Sequence, residues 1–324
     1  MLRSVIPLDA SSVIALGDDG IALFDADANA TRWSRAMPCV SAALLAESRQ
    51  IAVSTPEEIQ LLSLDDGRAL RTAREQVFGL AASGAVDLLA GVSSSGDRVS
   101  VWDTGTLERL GSLDIEAARC VTFSGQTDHL ACGLAAGVEV RRAREGDLVL
   151  RVVVPTPSSC SAAAVNAVAL GPDGRLLAAA GWGEVLMGLS PEGEVGADAG
   201  EFFALRLWRI APALGAELQS WEATLLAQAW PHSLTHVQLS PDGAALLAAG
   251  GDAVLIFACP GSSGDGSPLE PRAKLEWYDL DAAPRSAAFT PDGEHVLIGL
   301  EDGTVGAWNL ALEPIWKRAL PRVR

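Results

Sequence analysis

The chain has 324 residues, 49% hydrophobic and 20% charged, with a formal net charge of −17. That balance fits a folded, soluble chain with a sizeable core and excludes global disorder. It also argues against an electrostatic grip on nucleic acid or on an anionic membrane, either of which needs clustered lysine and arginine; the acidity reads first as a solubility device. Lys274 and Lys317 are the only lysines, and arginine with abundant Ala, Gly and Leu points to a GC-rich, bacterial genome. Cys39, Cys120, Cys132, Cys160 and Cys259 form no close pair, so they read as buried free thiols in a reducing compartment. Pro7 and Asp9 break the first apolar stretch, and no run approaches the roughly 18 apolar residues of a membrane span, so the cytoplasm is the expected location.

A repeat organises the chain from its start. Apolar runs at 5–8 and 13–16 lead through Asp18-Asp19-Gly20 into Ile21-Ala22-Leu23-Phe24, and runs at 43–45 and 51–53 lead into Ile59-Gln60-Leu61-Leu62. Residues 88–91 lead to Val99-Ser100-Val101-Trp102, and 120–123 through 130–133 to Val138-Glu139-Val140-Arg141. The pattern sharpens in the second half, where Pro172-Asp173-Gly174, Pro241-Asp242-Gly243 and Pro291-Asp292-Gly293 each separate two apolar strands. Proline presets the first turn dihedral, aspartate bonds the backbone ahead of it, and glycine accepts positive φ. A third strand then ends on Trp208, Phe257 or Trp308, and a fourth follows.

The third strands thus end at Phe24, Leu62, Trp102, Arg141, Trp208, Phe257 and Trp308. Seven four-stranded units of about 40 to 45 residues predict an all-β fold, a single seven-bladed β-propeller domain over 1–324 with each blade a four-stranded antiparallel sheet. Blades stacked on both faces explain why the inner strands are continuously apolar rather than alternating. Ser240-Pro241-Asp242-Gly243, Val101-Trp102-Asp103 and Asp302-Gly303-Thr304-Val305-Gly306-Ala307-Trp308 resemble the turn and strand signatures of the WD-repeat family, and the resemblance spans the chain. Two departures stand out: no blade has the family's Gly-His dipeptide, and only Trp102 is followed by Asp. The resemblance implies a last blade completed by an N-terminal strand, but here 314–320 supplies that strand itself, so closure must rest on packing between the first and last blades.

Two segments exceed the repeat. About 25 extra residues between Arg141 and Trp208 place an inserted loop or hairpin at 181–204 between the second and third strands of blade five; Gly-Ser-rich 259–271 in blade six reads as a flexible loop. The insertion carries Trp182, Leu186, Met187, Phe202 and Phe203 among acidic residues, which suits a protein interface or a lid folded back on the blade. The resemblance implies that such a loop opens on the partner-binding face. Residues 224–231 read as a second apolar loop, joining blades five and six, with Trp230 either extending that patch or buried at the blade boundary.

No phosphate loop, nucleophile elbow or zinc-protease motif is present. His232 and His236 have a spacing that suits a metal only on a helix, and Asp25-Ala26-Asp27-Ala28-Asn29 lacks the Gly and Glu of a calcium loop and reads as a hairpin turn. No catalytic residue, metal or cofactor is therefore expected. The leading expectation is a non-catalytic scaffold that binds another protein, alone or as a subunit of a larger complex, through one face of the propeller, with no nucleic acid or membrane partner. The alternatives are a hydrolase or lactonase-like enzyme with its site in the central channel, and self-association through the insertion.

Overall fold

A computed structural model describes residues 2–83, 85–135, 137–153, 160–185, 201–212, 221–229, 234–250, 253–260 and 270–320. The chain is a seven-bladed β-propeller in which each blade takes four consecutive strands into one antiparallel sheet, the first innermost and the fourth at the rim. The inner strands of blades two to seven pack on one another in turn and Pro284–Phe289 packs on Leu2–Pro7, while blades one and two share an apolar cluster from Ile14 to Leu62. No helix among the described residues is long and apolar enough to cross a membrane.

The three Pro-Asp-Gly turns behave as their chemistry dictates. Asp173, Asp242 and Asp292 each accept the backbone N–H two residues ahead at 2.9 Å, and Gly243 and Gly293 sit at φ +73° and +74°. A side chain at Gly293 would come within 3.3 Å of Pro241, so consecutive turns stack from blade to blade.

Every blade also slips register once between its third and fourth strands, at the third-strand residue singled out by sequence: Phe24, Leu62, Trp102, Arg141, Trp208, Phe257 and Trp308; each third strand runs on past it, by four residues at Trp208. Six of these seven side chains are buried in the inter-blade core. Arg141, the exception, donates to the buried Glu139 carboxylate at 2.8 Å, and Arg151 on the outer strand donates to the same carboxylate. The extra residue of the bulge falls on the rim, and among these are Leu70, Leu110 and Ile315. Their exposure thus belongs to bulges that twist each outer edge away from pairing with another chain.

The ring closes without a clasp. Leu2, Val5, Val13, Ala15 and Phe24 of blade one form one cluster with Leu297, Val305 and Ala307 of blade seven. The Val5 N–H donates to Ser286 Oγ at 3.2 Å, and Trp316 Nε1 donates to the Ala10 carbonyl at 3.0 Å.

Candidate functional site

In a blade of this topology the loops between second and third strands open on the same face as the links from a fourth strand to the next blade. The candidate site lies on that face. Blade five is the tallest there: its second strand runs Leu176–Val185 and its third Glu201–Pro212, against Ala245–Gly250 and Ala253–Ala258 in blade six. The ladder continues past Gly181↔Ala204 to Trp182↔Phe203, Gly183↔Phe202 and Glu184↔Glu201, while the inner strand follows with Ala164↔Trp182. A hairpin arm, residues 181–184 paired with 201–204, therefore leaves the face, and four residues of extra strand add about 13 Å of height. Gly181 sits at its neck, where a Cβ would meet the Ala164 carbonyl oxygen at 2.4 Å.

Of the aromatic and apolar residues singled out by sequence, Trp182, Phe202 and Phe203 fall on paired positions of this hairpin. Leu186, Met187 and Trp230 lie outside the described residues. The segment expected to be a loop at 224–231 needs correcting: residues 224–229 belong to the fourth strand of blade five, Trp221–Ala229, paired from Pro212↔Trp221 to Leu205↔Ala229. The third strand would otherwise present a row of unpaired N–H and C=O groups, and this apolar run, free of turn residues until Pro231, supplies their partners.

The same face carries two features that no motif announced. A shallow cavity of about 340 Å³ opens between blades two and three, lined by Glu57, Arg74, Glu75, Ser94 and Arg98 among others. Its charges are mixed, and Glu75 is already engaged by Ser100 Oγ at 2.5 Å and Arg109 at 3.7 Å. Beside it, the Ser95 and Ser93 hydroxyls hold the Asp97 carboxyl below the usual aspartate value. The second feature is the link between blades six and seven, where Trp277 and Tyr278 stand 55% and 67% exposed on one turn of 3-10 helix.

The central channel is bounded by the seven inner strands. None of the seven inner strands carries an aspartate or glutamate, whereas a channel enzyme needs several polar groups converging from different blades. Several polar side chains there stitch one blade to the next: Ser41 Oγ accepts the Leu80 N–H, Gln238 Oε1 the Phe289 N–H and Ser286 Oγ the Val5 N–H. Burial pushes His236 below the ordinary histidine value, and it sits on the strand Leu234–Leu239 rather than a helix; His232 lies outside the described residues.

The aspartates of 25–29 form the hairpin turn expected of them, with Asp25 Oδ1 accepting the Ala28 N–H at 2.9 Å and Asn29 at φ +48°. Asp292, Glu294 and His295 bring possible ligand atoms within 4.8 Å of one another on the opposite face, yet Asp292 is committed to its own turn through Thr290 Oγ1 and the Glu294 N–H. Cys39, Cys120, Cys132 and Cys259 are free thiols. Burial pushes Cys39 up to about 11 and Cys120 and Cys259 up to about 12, and raises Cys132 as well. Thiols so far from ionisation are poor nucleophiles and poor metal ligands.

No protein-family model matches the chain, and no curated protein matches it. Solved structures do. The structure of U3-55K superposes with a TM-score of 0.69 at 12% identity, covering 99% of this chain and 93% of that one. The complex of KlAtg21 with the coiled-coil of AgAtg16 contains a chain matching with a TM-score of 0.70 at 14% identity over 99% of both. A chain of the mitotic checkpoint complex matches at 0.68 and 17% identity, covering 95% of this chain and 86% of its own. With the RRP9 WD40 repeats also similar, at 0.69 and 13% identity, the likeness establishes the WD-repeat propeller fold.

Proposed function

We propose that this chain is a non-catalytic scaffold of a bacterial cytoplasm that binds another protein through the face on which the blade-five hairpin opens, centred on blades five and six. The observation that carries this reading is the hairpin: past the height at which the neighbouring blades turn from second to third strand, the blade-five ladder continues about 13 Å and brings Trp182, Phe202 and Phe203 with it. Length added to a loop contributes little to closing a ring, whereas an aromatic-bearing projection suits a partner surface. Two of the similar structures, KlAtg21 and the mitotic checkpoint complex, were solved in protein complexes. The hydrolase or lactonase-like alternative is disfavoured by inner strands without carboxylates.

The test is affinity purification from the native host with the intact chain and with one whose residues 184–201 are replaced by a short Gly-Ser turn, both shown folded by circular dichroism. Capture of a partner by the intact chain alone supports the reading. If both chains capture the same partner equally, or neither captures any, the hairpin is not the interface; recovery of further copies of the chain itself would instead make it a self-association element.

A further inference from the structure

The outer strand of blade six, Pro271–Glu276, passes into the 3-10 turn Trp277–Asp279 before blade seven begins at Pro284. Being a link from a fourth strand to the next blade, it lies on the hairpin's face. Leu280 is buried in the blade-six/seven core and anchors the link. Its N–H donates to the Trp277 carbonyl at 3.2 Å, and Asp279 Oδ2 accepts the Glu276 N–H at 3.2 Å. So pinned, the turn holds Trp277 and Tyr278 out in solvent, their rings 6.2 Å apart and edge to face at 74°. No cation lies over either ring among the described residues, and the Tyr278 hydroxyl has no hydrogen-bond partner among them.

Four carboxylates lie on the link and on the loop tied to it. Asp279 and Asp281 are on the link, and Glu301 and Asp302 are on the adjoining loop of blade seven, which is tied to the link by the Glu301 N–H donating to the Ala283 carbonyl at 2.9 Å. Arg285 pairs with Glu301 at 2.6 Å and Lys317 reaches Asp281 at 3.4 Å, which leaves Asp279 and Asp302 without a counter-ion among the described residues. A preorganised Trp-Tyr pair is the side-chain type that concentrates binding energy at interfaces, and its ring faces attract cations. The carboxylates of the link and loop select the same charge.

We propose that Trp277 and Tyr278, with Asp279, Asp281 and Asp302, form a docking point for a cationic segment of a partner protein, one that presents arginine or lysine side chains to the rings and carboxylates. The proposal rests on the scaffold reading above and names the chemistry of what that face receives. Nucleic acid and anionic lipid carry the wrong charge for it. A second copy of the chain is a poor donor, since several of its outer-strand cations are already paired within the fold, as in Arg32–Asp25, Arg151–Glu139 and Lys274–Glu276.

Tyr278 is the chain's single tyrosine, so uniform 3-fluorotyrosine labelling of the full chain gives one fluorine resonance that reports this turn. The probe is a short alternating glycine-arginine peptide, compared with glycine-lysine and glycine-glutamate peptides, anionic vesicles and single-stranded RNA. The expected result is a saturable shift with the two cationic peptides only. By fluorescence anisotropy of the labelled arginine peptide, Trp277→Ala should weaken binding about tenfold, and Asp279→Asn with Asp281→Asn should weaken it and flatten its salt dependence. The proposal is overturned if the resonance does not move saturably with a cationic peptide, if a folded Trp277→Ala chain binds the peptide as the parent does, or if vesicles or RNA shift the resonance instead. The chain lacking 184–201 keeps this turn and separates the two readings. Peptide binding without partner capture by the intact chain faults the hairpin alone, and hairpin-dependent capture without peptide binding faults the aromatic turn alone.

Discussion

The seam between blades seven and one is sealed by side chains: an apolar cluster from Leu2 to Ala307, the Val5–Ser286 hydrogen bond and the Trp316–Ala10 hydrogen bond join the two ends of the chain. The hairpin of blade five departs from the repeat in the other direction, adding ladder above the face where no neighbouring blade's ladder reaches. One departure serves closure and the other reaches outward. The contrast teaches that excess in this fold should be read by where it sits: at the contact between blades it answers to packing, and on a loop face it is free to answer to a partner.

Substitutions should therefore fall steeply in cost from the inter-blade core to the loop face. The largest effect belongs to Trp308→Ala, which empties a fully buried site at the blade-seven bulge; about 3–5 kcal/mol of unfolding free energy should be lost in urea denaturation. At the seam, a Cβ on Gly299 would lie 2.5 Å from Leu2 and 2.7 Å from Val5, so Gly299→Val should cost about 1–3 kcal/mol. A seam held some other way would absorb that valine without loss.

Glu139 offers an effect that depends on pH. Burial alone would raise its carboxyl, but hydrogen bonds from Arg151 and Arg141 outweigh burial and leave it below the ordinary glutamate value. A carboxylate depressed in the folded state contributes stability above its unfolded value, near 4.5, and loses that contribution as pH falls through the folded value. Glu139→Gln should cost about 1–2 kcal/mol at neutral pH, discounted because Arg151 is largely exposed. The gap between variant and parent should close on acidification below pH 4.5; a gap that stays constant would remove the ion pair from the account. Smallest of all, replacing 184–201 by a Gly-Ser turn should move the urea midpoint by no more than about 0.5 kcal/mol equivalent, and Gly111→Ala, with nothing within 4 Å of its Cβ, by no more than that either. A large loss on removing the hairpin would return it to the structural side of the comparison.

Much of the ring is legible in the sequence. The residues at the third-strand bulges mark the seven blades because six of them are large apolar side chains that fill the core there, and the Pro-Asp-Gly turns declare themselves because each residue type presets its part of the turn. The bulges themselves were not legible, since a one-residue slip leaves no compositional trace: Leu110 and Ile315 look like any apolar strand residue. The fourth strand of blade five read as a loop because apolar residues beside Trp230 and Pro231 fit a linker as well as a rim strand, and only the unpaired edge of the third strand decides between them. Trp277 and Tyr278 carry no motif; their importance comes from Leu280 turning inward beneath them.

The claim that one face of the propeller receives a partner is tested most directly by hydroxyl-radical footprinting of the chain with the partner captured from its host. The account predicts protection on the loops of the hairpin's face, including Trp277 and Tyr278, with the Pro-Asp-Gly turns of the opposite face unchanged. Protection on those turns, with the hairpin's face left as reactive as in the free chain, would contradict it.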